Sequence, residues 1–323
     1  MKKSALFAPI VGPIVGMALL SLCAAGQAAA KTKIFVSMAK SGDRFIDILR
    51  DSVVKSAASD PDIDVTIHDA HNDGPTQINH LKEAIAERAD AFVVLSVDGK
   101  TGVQLGQLAA QGHIPIIFLN RRPPADKFDG QASIVLSNDL VAGRLQMRLI
   151  ADKLNGTGNI VILRGEEGHP AAIDRTQGVK EILAKRPGIH LVEEATGSWK
   201  REEGERLVSQ WLASGQKIDA ILANNDEMAM GAINALKKAN IPPGKILVAG
   251  VDGTPDALEA IKSGYLTLSF LQNARAQSAQ ALVDAKKVAN KQYAEFYDWV
   301  PYELIIPSNV DSYMQPAAQT AAR

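Results

Sequence analysis

Polar side chains stand where apolar, strand-like runs end and amphipathic, helix-like runs begin. Asn225 and Asp226 follow the apolar residues 220–223, and Asp252 follows a second apolar run over 246–250. In a parallel α/β sheet such junctions lie at the carboxyl ends of strands, which is the edge where ligands bind. Asn225 or Asp226 alone is more often a helix N-cap than a ligand contact. Two such strand ends together predict one shared pocket.

Similar groups follow other predicted strands. The candidates outside the two junctions are Asp43, Phe45, Asn120, Arg121, His169, Arg175, Trp199 and Gln272. A hydroxyl group both donates and accepts, so planar amide, carboxylate and guanidinium groups can each bond it twice. Phe45 and Trp199 would clamp the apolar faces of a ring between them. These residue types favour a neutral, polyhydroxylated ligand.

The elements that would position these side chains follow a regular alternation of β-branched and amphipathic segments. This alternation predicts βαβ units and parallel sheets. Strands are expected at 33–38, 64–69, 91–96, 115–119, 133–137, 159–164, 189–194, 219–223, 246–250 and 265–271. Helices are expected at 44–59, 75–88, 139–154, 174–185, 201–214, 227–239 and 274–290. The alternation restarts after residue 139. The fold class is therefore α/β, with two Rossmann-like lobes.

The end of the chain determines how the lobes are joined. Trp299 to Pro307 has the pattern of one further strand. If the helix from Ala274 returns to the first lobe and this strand crosses to the second, the chain crosses near 138, 272 and 300. The predicted division is 31–138 with 273–300, then 139–272 with 301–315, then a frayed tail at 316–323. Three parallel connections form a hinge suited to closure on a ligand.

Residues 1–30 differ from the rest of the chain. Lys2 and Lys3 precede an apolar run, and Ala28 to Ala30 suit a cleavage site, so a signal peptide cleaved after Ala30 is predicted. Cys23 is the only cysteine. It follows the large residue Leu22, which disfavours lipid attachment. Cleavage would leave 33 basic residues, because 35 minus 2 are retained, against 36 acidic ones, and a net charge of −3. Nothing in that charge favours nucleic acid.

Enzyme and cofactor signatures do not appear in the sequence. It lacks a Walker loop, a Gly-x-Gly-x-x-Gly after a strand and a Gly-x-Ser-x-Gly elbow. His68 and His71 have no convincing zinc partners. Glu166, Glu167 and Asp252 would suit glycoside hydrolysis only at the right carboxylate separation, which a sequence does not give. We expect a binding protein without cofactor or metal.

Several motifs together resemble a known family, the periplasmic sugar-binding proteins of ABC transporters with the type I fold. Asn225 to Gly231 and Asp252 to Asp256 look like both the ribose and the glucose/galactose branches. Closer to the glucose/galactose branch are Asp43-Arg44-Phe45, His71-Asn72-Asp73, Phe118-Leu119-Asn120 and Gly165 to Pro170. The resemblance covers nearly the whole chain after residue 30.

The resemblance implies roles for the candidate residues. It makes Phe45 and Trp199 the stacking aromatics and Gln272 the hinge amide. The other implied sugar contacts are Asp43, Asn120, His169, Arg175, Asn225 and Asp252. Arg121, which matches an arginine of the ribose branch, is a further expected contact. In this interpretation Asn225 binds the ligand and Asp226 caps the following helix.

The chain also departs from the glucose/galactose branch. Ala171 replaces an aspartate that accepts from the anomeric hydroxyl, and the acidic calcium loop is absent at Leu154 to Gly158. A retained aromatic clamp with one acceptor lost suggests a six-membered ring that is not clearly glucose. The hypothesis is a cyclic polyol such as myo-inositol, or a hexopyranose with altered anomeric recognition.

The predicted function is capture of a monosaccharide or cyclic polyol in the periplasm and delivery to an ABC transporter permease. A chemoreceptor is a further possible partner, and a monomer is expected. Three alternatives stay open: a pentose-binding protein of the ribose type, a sugar-modifying enzyme on the same fold, and a sugar-responsive transcription regulator. The regulator would need an amino-terminal helix-turn-helix, where this chain has its apolar leader.

Overall fold

The computed structural model describes Met1 and residues 30–314. All strands of that part belong to two parallel sheets and one short antiparallel pair. The predicted signal peptide, Cys23 and the tail at 316–323 lie outside those residues, apart from Met1 and Ala30. In the described part, no helix is both long and apolar enough to cross a membrane. Residues 31–314 belong to one compact unit.

The strands come in the order expected for βαβ units. They are β1 (Thr32–Met38), β2 (Ile63–Asp69), β3 (Ala91–Val94), β4 (Ile116–Leu119), β5 (Ala132–Leu136), β6 (Gly158–Arg164), β7 (Ile189–Thr196), β8 (Ala220–Ala223), β9 (Leu247–Ala249), β10 (Ser269–Leu271), β11 (Tyr297–Trp299) and β12 (Glu303–Ile305). Central strands such as β3 and β8 are buried along their whole length. That burial explains their continuous apolar sequences.

Helices separate most of these strands. They are α1 (Arg44–Ala58), α2 (Gly74–Ala86), α3 (Gly99–Gln111), α4 (Asp139–Lys153), α5 (Pro170–Leu183), α6 (Arg201–Ala213), α7 (Asp226–Lys238), α8 (Pro255–Lys262), α9 (Ala274–Ala289) and α10 (Val310–Met314). Many begin at an aspartate or asparagine whose side chain accepts a backbone N–H of the first turn, as Asp73 does for α2 and Asp98 for α3.

Each parallel sheet is covered on both faces. The first sheet has the order β11-β5-β4-β3-β1-β2, with α1 and α9 on one face and α2 and α3 on the other. The second has the order β7-β6-β8-β9, with α4 and α5 against α6, α7 and α8. These are the two lobes, and both have the strand order of doubly wound folds.

The chain passes between the sheets three times. It leaves β5 of the first sheet for α4, which packs on the second, and it returns after β10 through α9, which packs on the first. After β11 it leaves again for β12, which pairs with β10. We propose 31–138 with 273–300, and 139–272 with 301–315, as the division into lobes, residue 315 itself lying beyond the described part.

The structure corrects three details of the predicted elements. Trp299 to Pro307 is not one strand: β11 and β12 belong to different sheets, and Pro301, which has no N–H to donate, lies between them. Helix α5 begins at Pro170 rather than at 174, because a proline at the first position suits a helix start. Helix α3, rich in glycine, was outside the predicted ranges.

Candidate functional site

One cavity collects side chains from the carboxyl ends of strands in both lobes. Its empty volume, which extends out to open solvent, is about 480 Å³. The ten residues predicted to bind ligand all line it: Asp43, Phe45, Asn120, Arg121, His169, Arg175, Trp199, Asn225, Asp252 and Gln272. The structure therefore brings together residues that are up to 229 positions apart, from 43 to 272. Their contact with a ligand stays a prediction.

Arg175 is the most extensively bonded cation of the cavity. Its Nε donates to Asp139 at 2.8 Å, its Nη1 to the carbonyl of Asn224 at 2.6 Å, and its Nη2 to Gln272 Oε1 at 3.2 Å and Tyr302 Oη at 2.9 Å. Burial lowers the pKa of this guanidinium, but the neighbouring acidic groups outweigh it, and the pKa is raised overall. Arg175 is therefore a fixed positive charge in the wall of the cavity.

Asp252 is a buried carboxylate close to that cation. Its Oδ1 lies 3.7 Å from Arg175 Nη1, too far for a hydrogen bond, and the side chain is 5% exposed. Burial raises the pKa of Asp252 well above its usual value, although Arg175 acts in the opposite direction. The backbone has φ 128° at this residue, a conformation that only glycine adopts readily. The fold thus holds a strained acceptor that faces the cavity.

Trp199 is fixed by close packing. A Cβ atom at Gly165 would lie 2.1 Å from the indole ring, so only glycine leaves room for the ring there. The backbone at Trp199 has φ 65°, and the ring meets His169 edge to face with 5.0 Å between centroids. The guanidinium carbon of Arg175 lies 5.8 Å from the centre of the indole. The ring therefore has a single defined orientation.

His169 is a neutral donor in this environment. Burial, together with the positive charges of Arg121 and Arg175, lowers its pKa to about 2. Its Nδ1 accepts the backbone N–H of Ala171 at 3.1 Å. In a neutral imidazole the other nitrogen then carries the hydrogen. His169 can therefore offer an Nε2–H to a ligand oxygen.

The first lobe supplies Asn120 and Arg121. Asn120 has φ 66°, and its Nδ2 donates to Oε1 of the buried Gln277 at 3.0 Å. Arg121 donates through Nη1 to the carbonyls of Ser96 and Val97, while its Nε is buried without a partner. Burial lowers the pKa of Arg121. Both side chains are held by the protein on one side and retain donors on the other.

The structure changes one of the two roles predicted within the pair Asn225 and Asp226. Asn225 is the N-cap of α7, where its Oδ1 accepts the N–H of Met228 at 3.0 Å, and it also lines the cavity. The prediction that Asp226 caps this helix was wrong. Asp226 is fully buried and accepts instead from Ser269 Oγ at 2.7 Å and Thr254 N at 2.9 Å. Burial raises the pKa of Asp226 to about 6.

Four lining residues were not among the predicted contacts. They are Lys40, Ile46, Glu166 and Ala171. Lys40 lies 3.4 Å from Asp43, which caps α1 through Ile46 N. Lys40 and Glu166 lie in the same strand-end loops as Asp43 and His169. That shared position in the sequence could have identified them as lining residues.

The electrostatics are mixed, with acidic and basic groups on both sides of the cavity. Among the residues that the structure describes, no three His, Cys, Asp or Glu side chains are grouped so that they could hold a metal ion. Such a site offers planar donors and acceptors to hydroxyl groups and has an aromatic face for a ring. Two doubly wound lobes around one interlobe cavity define the class of ligand-binding proteins that close about a hinge.

The chain belongs to the periplasmic binding protein domain family, whose model matches residues 34–292. It is 35% identical over 303 residues to a Rhizobium meliloti protein named for rhizopine binding, covering 93% of this chain and 97% of that one. These matches agree with the fold and the cavity.

Two solved structures are close in fold. A solute-binding protein of an ABC transporter from Bacillus halodurans, with bound myo-inositol, is 39% identical, with a TM-score of 0.82 over 89% of this chain and 99% of that one. A Caulobacter myo-inositol binding protein bound to myo-inositol is 25% identical, with a TM-score of 0.81 over 88% and 96% of the two chains. The resemblance predicted from the motifs is confirmed.

Proposed function

We propose that this protein captures a cyclic polyol, with myo-inositol as the first candidate, and delivers it to an ABC transporter permease. The observation that carries the proposal is a cavity that both lobes line with planar polar groups and an indole ring. Relatives of the same family are binding proteins of transporters, and one that is 39% identical has myo-inositol bound.

The chemistry of the wall suits a ring with hydroxyl groups on every side. Arg175 and the neutral His169 supply donors, Asp43 and Asp252 supply acceptors, and Asn225 supplies both. Bonds to charged groups contribute roughly 1.5 to 3 kcal/mol each. A handful of them supports an affinity of about 1 µM or tighter after the costs of association and closure.

Ala171 supports a cyclitol over a pyranose. The residue lines the cavity with a methyl group where the resemblance would place an aspartate for the anomeric hydroxyl. A cyclitol has no anomeric centre and needs no such acceptor. A hexopyranose that is recognised differently at this carbon is the second candidate.

The remaining parts of the proposal concern where and with what the protein acts. The family places it in the periplasm, and the apolar leader ending at Ala30 is proposed as the signal peptide. It acts as a monomer that binds without changing its ligand, and a chemoreceptor is a candidate second partner. The three-segment hinge supports closure as the signal that the permease reads.

A thermal-shift panel tests the ligand. The mature protein is heated with myo-inositol, other cyclitols, hexoses and pentoses, and hits are measured by calorimetry. At about 100 times its Kd, the true ligand adds ~2.7 kcal/mol to the free energy of unfolding. Stabilisation by pentoses alone would overturn the proposal. Recovery of unaltered ligand after long incubation is expected, since turnover would indicate an enzyme.

A further inference from the structure

Arg175 uses most of its hydrogens within the protein. A guanidinium has five N–H donors. The Nε hydrogen goes to Asp139, one Nη1 hydrogen to the carbonyl of Asn224, and the two Nη2 hydrogens to Gln272 and Tyr302. One Nη1 hydrogen is left over, and Nη1 lies 3.7 Å from Oδ1 of Asp252, which lines the cavity together with Arg175. This residue therefore offers a ligand a single, directed donor.

Tyr302 and Asp139 complete a ring of hydrogen bonds with the guanidinium. Arg175 Nη2 donates to Tyr302 Oη at 2.9 Å, and that hydroxyl donates to Asp139 Oδ1 at 2.6 Å. The same Oδ1 accepts from Arg175 Nε at 2.8 Å. Three bonds among three side chains leave the guanidinium no free rotation about its Nε. The direction of the remaining Nη1 hydrogen is thereby set by residues that need not touch the ligand.

The three side-chain partners of Arg175 come one from each place where the chain changes lobes. Asp139 begins α4 directly after the first crossing, Gln272 follows β10 at the second, and Tyr302 lies between β11 and β12 at the third. Arg175 itself belongs to α5 of the second lobe. One side chain thus joins the base of the hinge to the wall of the cavity.

We propose that Tyr302 and Asp139 are positioning residues for the ligand, acting through Arg175. They fix the single free donor of Arg175 in the cavity and connect Arg175 to the chain crossings between the lobes. The inference rests on the proposed function, because it needs a ligand with a hydroxyl group in reach of that donor. Neither residue lines the cavity itself.

The phenol is required for this role because it both accepts and donates. Phenylalanine at 302 would leave one Nη2 hydrogen without a partner and would leave Asp139 Oδ1 with only the bond from Arg175 Nε. Burial raises the pKa of Tyr302 well above its usual value, so the hydroxyl keeps its proton at every pH that the protein meets. The ring of Tyr302 also lies beside the guanidinium, 5.9 Å from ring centre to Cζ. That contact survives in Tyr302→Phe, which isolates the hydroxyl.

The experiment compares Tyr302→Phe with Tyr313→Phe. Tyr313 is also partly buried and donates to a carboxylate, Glu303, at 3.2 Å, but it does not line the cavity. Calorimetry with myo-inositol, or with the best ligand of the panel, is expected to show Kd about tenfold weaker for Tyr302→Phe. Tyr313→Phe should stay within twofold of wild type.

A double-mutant cycle separates positioning from a general loss of structure. In an Arg175→Lys background the added Tyr302→Phe change should cost no more than twofold, because the group it positions is gone. Asp139→Asn, which keeps the shape but removes the charge, is the second variant should Tyr302→Phe fold poorly, and it should weaken binding at least fivefold.

The possible failures are distinguishable. Wild-type protein that binds no member of the panel overturns the proposed function and this inference with it. Wild-type binding with equal Kd in Tyr302→Phe and Tyr313→Phe overturns the positioning role alone. An undiminished tenfold loss in the Arg175→Lys background does the same, since Tyr302 would then act by another route.

Discussion

At the level of single residues, several polar groups of the cavity perform two tasks. Asp43, His169 and Asn225 each accept a backbone N–H at the start of a helix and also line the cavity. A side chain held by its own helix loses little further conformational entropy when a ligand arrives. The cap and the ligand contact, which the sequence presents as competing interpretations, are compatible in one residue.

Asp252 gives the sharpest prediction at this scale. Replacing it by alanine removes a buried acceptor opposite Arg175 Nη1 and should weaken ligand binding at least roughly tenfold, since hydrogen bonds to charged groups are worth about 1.5 to 3 kcal/mol. Calorimetry on the folded variant measures this. Asp311→Ala, a change at an exposed carboxylate paired with Lys262 in the same lobe, is the control. Equal affinities for Asp252→Ala and wild type would remove Asp252 from the site.

His169 predicts a loss of stability in acid. Its pKa is about 2 in the fold against an ordinary 6.5, so below pH 6.5 the unfolded chain takes up a proton that the folded chain refuses. The unfolding free energy should fall by about 2 kcal/mol between pH 6.5 and 5 from this residue alone. Chemical denaturation of wild type and His169→Gln at both pH values tests it. The expected result is a smaller acid loss in the variant, and parallel profiles would contradict it.

At the level of elements, the sequence predicts the strands and their ends well because buried parallel strands are continuous apolar runs. Predicting helix α5 four residues late was a local error, since His169 and Pro170 start it by cap and ring geometry rather than by periodicity. The last segment was harder. Whether Trp299 and Glu303 share a strand depends on which sheet each meets, and that is set by contacts distant in sequence.

Asp226 joins three elements at the edge of the second sheet. It begins α7, accepts from the N-cap residue of α8, Thr254, and accepts from Ser269 of β10. A Cβ at Gly250 would lie 2.1 Å from its Oδ1, so glycine is needed there. The carboxylate therefore determines how the two helices approach β10, a role that cap statistics do not reveal.

The pH dependence of Asp226 has the opposite sign to that of His169. Its pKa is raised to about 6 from 3.8 by burial, so the folded state binds the proton more tightly. Its contribution to stability is complete below pH 3.8 and is lost as the pH rises through about 6, a change of about 3 kcal/mol. Asp226→Asn should not show this loss. The unfolding free energies of wild type and variant are measured at pH 4 and pH 7, and the two proteins should differ less at pH 4 than at pH 7. The same difference at both pH values would contradict the prediction.

At the level of the whole molecule, two lobes approach each other over the cavity and are linked at three places. The loop after β4 also meets α5 across the cleft, where Arg122 Nη2 lies 3.7 Å from Asp174. The side chains of Arg122 and Asp174 are 43% and 34% exposed, respectively. Such pairs are worth about 0 to 1 kcal/mol and are screened by salt. In the proposed closure, this pair would therefore contribute less than the ligand contacts.

Closure can be measured directly. Small-angle X-ray scattering should give a smaller radius of gyration with ligand than without, since the proposed ligand contacts come from both lobes. Arg122→Ala should weaken binding by at most about fivefold, and the difference should vanish in high salt. Lys262→Ala, which breaks an exposed pair within one lobe, is the control. An identical salt dependence in both variants would exclude a role for Arg122 in closure.

The packing of Trp199 on Gly165 has an optical consequence. The three tryptophans of the chain occupy different surroundings: Trp211 lies in the core, Trp299 is 48% exposed, and Trp199 lines the cavity. A ligand that displaces water from the Trp199 indole shifts the emission of that one fluorophore to shorter wavelength, with the other two as an internal reference. If the ligand binds against Trp199 as proposed, this emission reports occupancy without a label, and Trp199→Phe would abolish the signal.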